Sequence, residues 1–138
     1  MKWANSLIRI ANHEVETLQK RLAEIVERRT VLDMRMAALH AEAAAEADRA
    51  RRDPEASMFH AQFAQGWRLR RDRLKVEIDA VKLEESGARD SLTRAFGELK
   101  KFEHVAELAR VAGVKEQNRR ETAALDEMGL RAAAGGRG

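Results

Sequence analysis

The sequence predicts an all-α protein: an antiparallel two-helix coiled-coil hairpin with a longer second helix and a mobile C-terminal tail. Three observations carry that prediction. Of 138 residues, 36% are charged and 4% aromatic, with no tyrosine and no cysteine, and the bias to Ala, Glu, Arg and Leu favours helix over strand. Apolar residues recur in alternating steps of three and four along two long stretches. The single proline, Pro54, stands between those stretches.

The first stretch reads Ile8, Ala11, Val15, Leu18, Leu22, Ile25, Arg29, Leu32, Met36, Leu39 and Ala43. The second reads Trp67, Arg71, Leu74, Ile78, Val81, Glu85, Ala88, Leu92, Ala95, Leu99, Phe102, Ala106 and Ala109. A repeat averaging about 3.5 residues keeps one stripe of a helix turned toward a partner, the condition for a left-handed coiled coil. Both stripes are apolar apart from a few charged positions.

The first helix is expected over about 5–52. Asn5 and Ser6 are suitable N-caps, and Arg49, Arg51 and Arg52 sit in the last turn, where cations complement the helix dipole. Its second half thins into small residues such as Ala43, Ala44 and Ala47. Pro54 lacks an amide hydrogen and clashes with the preceding turn, so the first helix must stop there. A turn over about 53–58 follows, with Asp53 as N-cap and Pro54 in the first turn of the next helix. The second helix then runs over about 59–128, and its surplus length has no partner within the chain. Residues 1–130 read as one coiled-coil domain. Residues 131–138 carry no apolar period and are expected to be a disordered tail.

Charged positions interrupt both stripes. Arg29 and Glu85, and likewise Glu46 and Arg71, lie at similar distances from the turn, so folding would set opposite charges across from each other as two ion pairs that fix register. The competing reading is that each side chain snorkels to solvent at the stripe's edge.

The 26 basic and 23 acidic residues, a net charge of +3, are interspersed, which argues against a dedicated nucleic-acid surface. No apolar run is long enough to span a bilayer, so a soluble chain without membrane insertion is expected. His13, His40, His60 and His104 are scattered. His13 with Glu16 and His104 with Glu107 have helical spacing but no second pair to complete a metal site. No phosphate loop or activated nucleophile is present, and Glu84 and Glu85 belong to a helix face rather than a cleft. The chain is therefore expected to be no enzyme, to carry no metal or cofactor, and to act by presenting surfaces. Phe59, Phe63 and Trp67, at steps of four just past the turn, are either a plug closing the hairpin or an anchor patch for another protein.

Toward the C-terminus, Lys100, Lys101, Phe102 and Glu103 lead through Ala106 and Glu107 into Arg119, Arg120, Glu121, then Leu125, Asp126, Glu127 and Arg131. This run resembles the tail of the flagellar export FliJ family, and Ser6 to Ile10 with Glu14, Val15 and Glu16 is similar to that family's opening helix. The resemblance covers nearly the whole chain, and the Leu125–Asp126–Glu127 step is its most telling part. It implies an antiparallel coiled coil like the stalk of rotary ATPases. It also implies insertion of the paired termini into the hexameric flagellar export ATPase to promote ring assembly, contact with the cytoplasmic domain of the export gate, and escort of export chaperones. By the same resemblance, Phe63 and Trp67 are gate-contact candidates, although Arg70 and Leu74 depart from the family's continuation of that stripe. Leu7, Arg119, Arg120, Leu125, Asp126, Glu127 and Arg131 are the ATPase-facing candidates. The implied location is cytoplasmic, at the face of the flagellar basal body and peripheral to the inner membrane. Two other functions fit the residues: a homodimeric coiled-coil adaptor, and a basic helical nucleic-acid-binding protein.

Overall fold

In the computed structural model, which describes residues 2–135, two helices account for the chain: α1, Lys2–Arg52, and α2, Pro54–Gly135. Among the described residues Asp53 alone lies outside them. The turn expected over 53–58 is thus a single residue that serves both helices. Its amide donates to the Arg49 carbonyl at 3.0 Å, ending α1, and its own carbonyl accepts from the Ser57 amide at 3.0 Å, opening α2. Its carboxylate Oδ1 accepts from the Glu55 amide at 3.0 Å, satisfying one of the amides that a helix start leaves without a partner. Pro54 fits the first position because its fixed φ is already helical and it has no amide to satisfy.

The start of α1 also differs from expectation. Ser6 lies inside the helix, and its hydroxyl donates back to the Lys2 carbonyl at 3.0 Å rather than capping the first turn. Serine within a helix can bond one turn back in this way. At the other terminus α2 continues to Gly135, so part of the tail expected from residue 131 is helical and the remainder, 136–138, lies outside the described residues.

The chain divides into two compact units, Val15–Arg94 and Met1–Glu14 with Ala95–Gly138. In the first, Ile25, Leu32, Ile78, Val81 and Ala88 form the core, with Leu22, Met36 and Leu74 packed against it. Ile25 is 1% exposed, and burying a side chain of that size stabilises by about 1.5–3 kcal/mol. In the second unit Ala4, Ala11, Ala95 and Leu99 are buried, with Ile8, Phe102 and Ala106 half-buried beside them in the sequence stripe. Small residues there permit close approach of two helices but remove little apolar area from water.

Candidate functional site

The aromatic trio after Pro54 divides. Trp67 belongs to the helix pairing: its indole Nε1–H donates across to the Leu39 carbonyl of α1 at 2.7 Å. The His40 ring meets it edge-on, with centroids 5.3 Å apart and planes at 65°. The Arg71 guanidinium lies 5.3 Å from the indole centroid, a distance at which a cation is attracted to the ring. Phe63 is half-buried, whereas Phe59 is 63% and Met58 79% exposed. The plug description therefore fits Trp67 and the patch description fits Phe59, with Phe63 between them. Nearby, His60 lies against Ala44, Ala47, Ala50 and Arg51, and its Nδ1 is buried without a hydrogen-bond partner among the described residues.

Cross-helix ion pairs display the register of the Val15–Arg94 unit. Arg28 meets Glu84 at 2.6 Å and Arg29 Nε meets Glu85 Oε1 at 2.8 Å. Fourteen residues further along α1 and fourteen back along α2, Glu42 meets Arg70 at 2.8 Å. Glu46 and Arg71, expected as a second seam pair, do not meet. Glu46 turns instead to Arg49 at 3.4 Å, and Arg71 to Asp72 at 3.1 Å and to Trp67. The Arg28–Glu84 and Arg70–Glu42 pairs and the Trp67–Leu39 bond escaped the sequence reading. Their one available signal was the register that Arg29 and Glu85 imply.

In the other unit, Ala4, Asn5 and Ile8 line a shallow groove with Glu103, Ala106, Ala109 and Gly113, so the start of α1 runs antiparallel to residues 103–113 of α2. Leu7 is half-buried on that part of α1, whereas Arg119, Arg120, Leu125, Asp126, Glu127 and Arg131 are exposed, as is every residue from 117 to 135. Along this stretch charges pair within the helix: Arg119 and Arg120 both hold Glu116, at 2.8 and 3.1 Å, and Arg131 holds Glu127 at 2.8 Å. The hydrogen bond from Arg119 keeps the Glu116 carboxyl below the usual carboxylate range. Hydrogen bonding and charge from Arg110 do the same for Glu107. Leu125, Met128 and Leu130 are 68%, 65% and 72% exposed.

Among the described residues no polar or charged residue is buried and no three metal-ligating side chains converge. No helix is long and apolar enough to cross a membrane.

Comparison with known proteins adds the last observation. The chain is 53% identical over 137 residues to the protein named "Flagellar FliJ protein" in Caulobacter vibrioides strain NA1000 / CB15N, spanning 99% of each chain. The same figures hold for the protein of that name in strain ATCC 19089 / CIP 103742 / CB 15. No family model and no solved structure matches.

Proposed function

Because the chain belongs to the flagellar FliJ family, we propose that it is the central stalk and regulator of the flagellar export ATPase. It promotes assembly of the ATPase ring and links the ring to the export gate and the export chaperones. In this reading it is a single coiled-coil domain, non-catalytic, working in the cytoplasm at the basal body. The observation that carries it is full-length identity of 53% to proteins bearing the FliJ name. The helix pairing supports it, since within each compact unit a segment of α1 packs on α2, while α2, at 82 residues against 51, retains a surplus.

The surplus is where we place the ATPase-facing surface. Leu125 is an exposed apolar anchor, and Arg119, Arg120, Asp126, Glu127 and Arg131 surround it along the helix with mixed charge. Phe63, beside the exposed Phe59, is the gate-contact candidate of choice; Trp67 contributes mainly by holding α1. Arg29 and Glu85 set the register. A nucleic-acid role is disfavoured by the intrahelical pairing of Arg110, Arg119, Arg120 and Arg131 with glutamates, which leaves no unopposed basic stripe on that stretch.

The test is co-purification with the export ATPase of the same cell, scored by stimulation of ATP hydrolysis. Binding and stimulation are expected with the full chain and lost with Leu125→Asp. Absence of both with the unaltered chain refutes the proposal.

A further inference from the structure

α2 carries a second apolar stripe on the face opposite its seam. Leu69, Val76 and Leu83 stand seven residues apart and are 57%, 69% and 76% exposed, while Leu74, Ile78 and Val81 between them turn into the core. Alternating with the large residues at steps of three and four are Gly66, Arg73, Ala80 and Gly87, all exposed. A side chain added at Gly66 or Gly87 would meet nothing within 4 Å. The stripe has the heptad spacing of a helix–helix contact; among the described residues no helix covers Leu69, Val76 or Leu83, while Ala80 and Gly87 border grooves shared with α1.

We propose that this stripe is a self-association surface, on which a second copy of the chain lays the same stripe antiparallel about a two-fold axis between Arg73 and Val76. Three features of the stripe select a second copy. Its large and small positions are complementary to each other: the antiparallel register sets Leu69 against Ala80 and Leu83 against Gly66, and two-fold symmetry repeats both contacts. Small residues at alternate layers let two helix backbones approach closely beneath the leucines. The same register places Arg73 level with Glu77 of the other copy, on the same flank of the contact. Among the described residues neither has an ion-pair partner in its own chain, whereas Arg28, Arg29 and Arg70 are all paired. A parallel arrangement is disfavoured because it stacks Arg73 on Arg73 in the middle of the contact.

From Gly66 to Gly87 the contact spans three heptads, about 32 Å of helix at about 1.5 Å per residue. That length belongs to the small, reversible class of interfaces. The seam is untouched, so association leaves the fold of each copy unchanged.

Sedimentation equilibrium of the full chain from micromolar to millimolar concentration is expected to show a reversible monomer–dimer equilibrium. Leu69→Glu, at an exposed position, should weaken it by about tenfold or more, roughly 1.4 kcal/mol, without moving the melting temperature. Orientation can be read directly because the chain has no cysteine. Disulfides need Cα atoms within about 7 Å. Leu69→Cys mixed with Ala80→Cys should therefore link under mild oxidation, while Leu69→Cys alone should not. A chain that stays monomeric throughout overturns the proposal, even if Leu69→Glu disrupts binding of some other protein. Linking of Leu69→Cys to itself overturns the antiparallel arrangement.

Discussion

Two stretches of α2 are built from the same apolar residues and meet opposite environments. From Trp67 to Leu99 the stripe residues Ile78, Val81, Ala88, Ala95 and Leu99 are buried, because in each compact unit a segment of α1 faces them. From Val114 to Leu130 the apolar residues Val114, Leu125, Met128 and Leu130 are all exposed, because no described residue of α1 covers them. Burial here is decided by the supply of facing helix, not by hydrophobicity. The first stretch stabilises the protein, and the second is left facing solvent.

The largest expected effect tests that division directly. Ile25→Ala removes the most buried side chain and should cost about 2–5 kcal/mol in urea unfolding, whereas Leu125→Ala should change stability by less than about 0.5 kcal/mol. Equal costs would erase the contrast between the stretches. Next is Trp67→Phe, which keeps an aromatic ring but loses the indole donor to the Leu39 carbonyl. A loss of about 1 kcal/mol is expected, and an unchanged melting temperature would move Trp67 from the paired region to the free one.

Smaller still is the coupling between Arg29 and Glu85, whose side chains are 30% and 15% exposed. A double-mutant cycle should give about 0.5–1 kcal/mol. The same cycle on Glu46 and Arg71 should give none, and coupling there would mean a different register.

The smallest effect lies where α2 leaves its pairing with α1 and depends on pH. The Glu107 and Glu116 carboxyls are held below their usual range in the folded chain, so folding favours their ionised forms. Their contribution is fully present above the usual glutamate range and is lost as pH falls through the lowered folded values. Both are open to solvent, so the consequence is local: helix order around 107–120 should weaken on acidification before the Val15–Arg94 core responds. Carboxyl titration by NMR checks this, and titration at the ordinary glutamate value would remove the helix pairs as its cause.

Much of this arrangement was legible in the residues. Every stripe position from Ile8 to Ala43 and from Trp67 to Ala109 is buried or half-buried, including the charged Arg29, Arg71 and Glu85, because a step of three and four on a helix constrains which face a residue shares. Asp53 as N-cap was equally readable, since its chemistry is local. Ser6 departs from the expected cap because the same hydroxyl serves inside a helix, and the turn is shorter than expected because Asp53 serves two helices at once. Of the candidate docking residues, the exposure of the 119–131 group followed from the surplus length of α2. The division of Phe59, Phe63 and Trp67 did not, because it depends on where Leu39 and His40 arrive across the pair.

The sequence by itself determined two helices, the break at Asp53–Pro54 and the stripe each helix turns inward, all set by local chemistry and by a periodicity that needs no partner. Only the tertiary structure decided the register. A heptad stripe slid by seven residues presents the same pattern of apolar faces, so periodicity cannot distinguish one alignment from the next. Specific cross-helix contacts distinguish them: Glu42 with Arg70, Arg29 with Glu85, and Trp67 on the Leu39 carbonyl. Those contacts also decide which side chains hold the fold and which remain exposed.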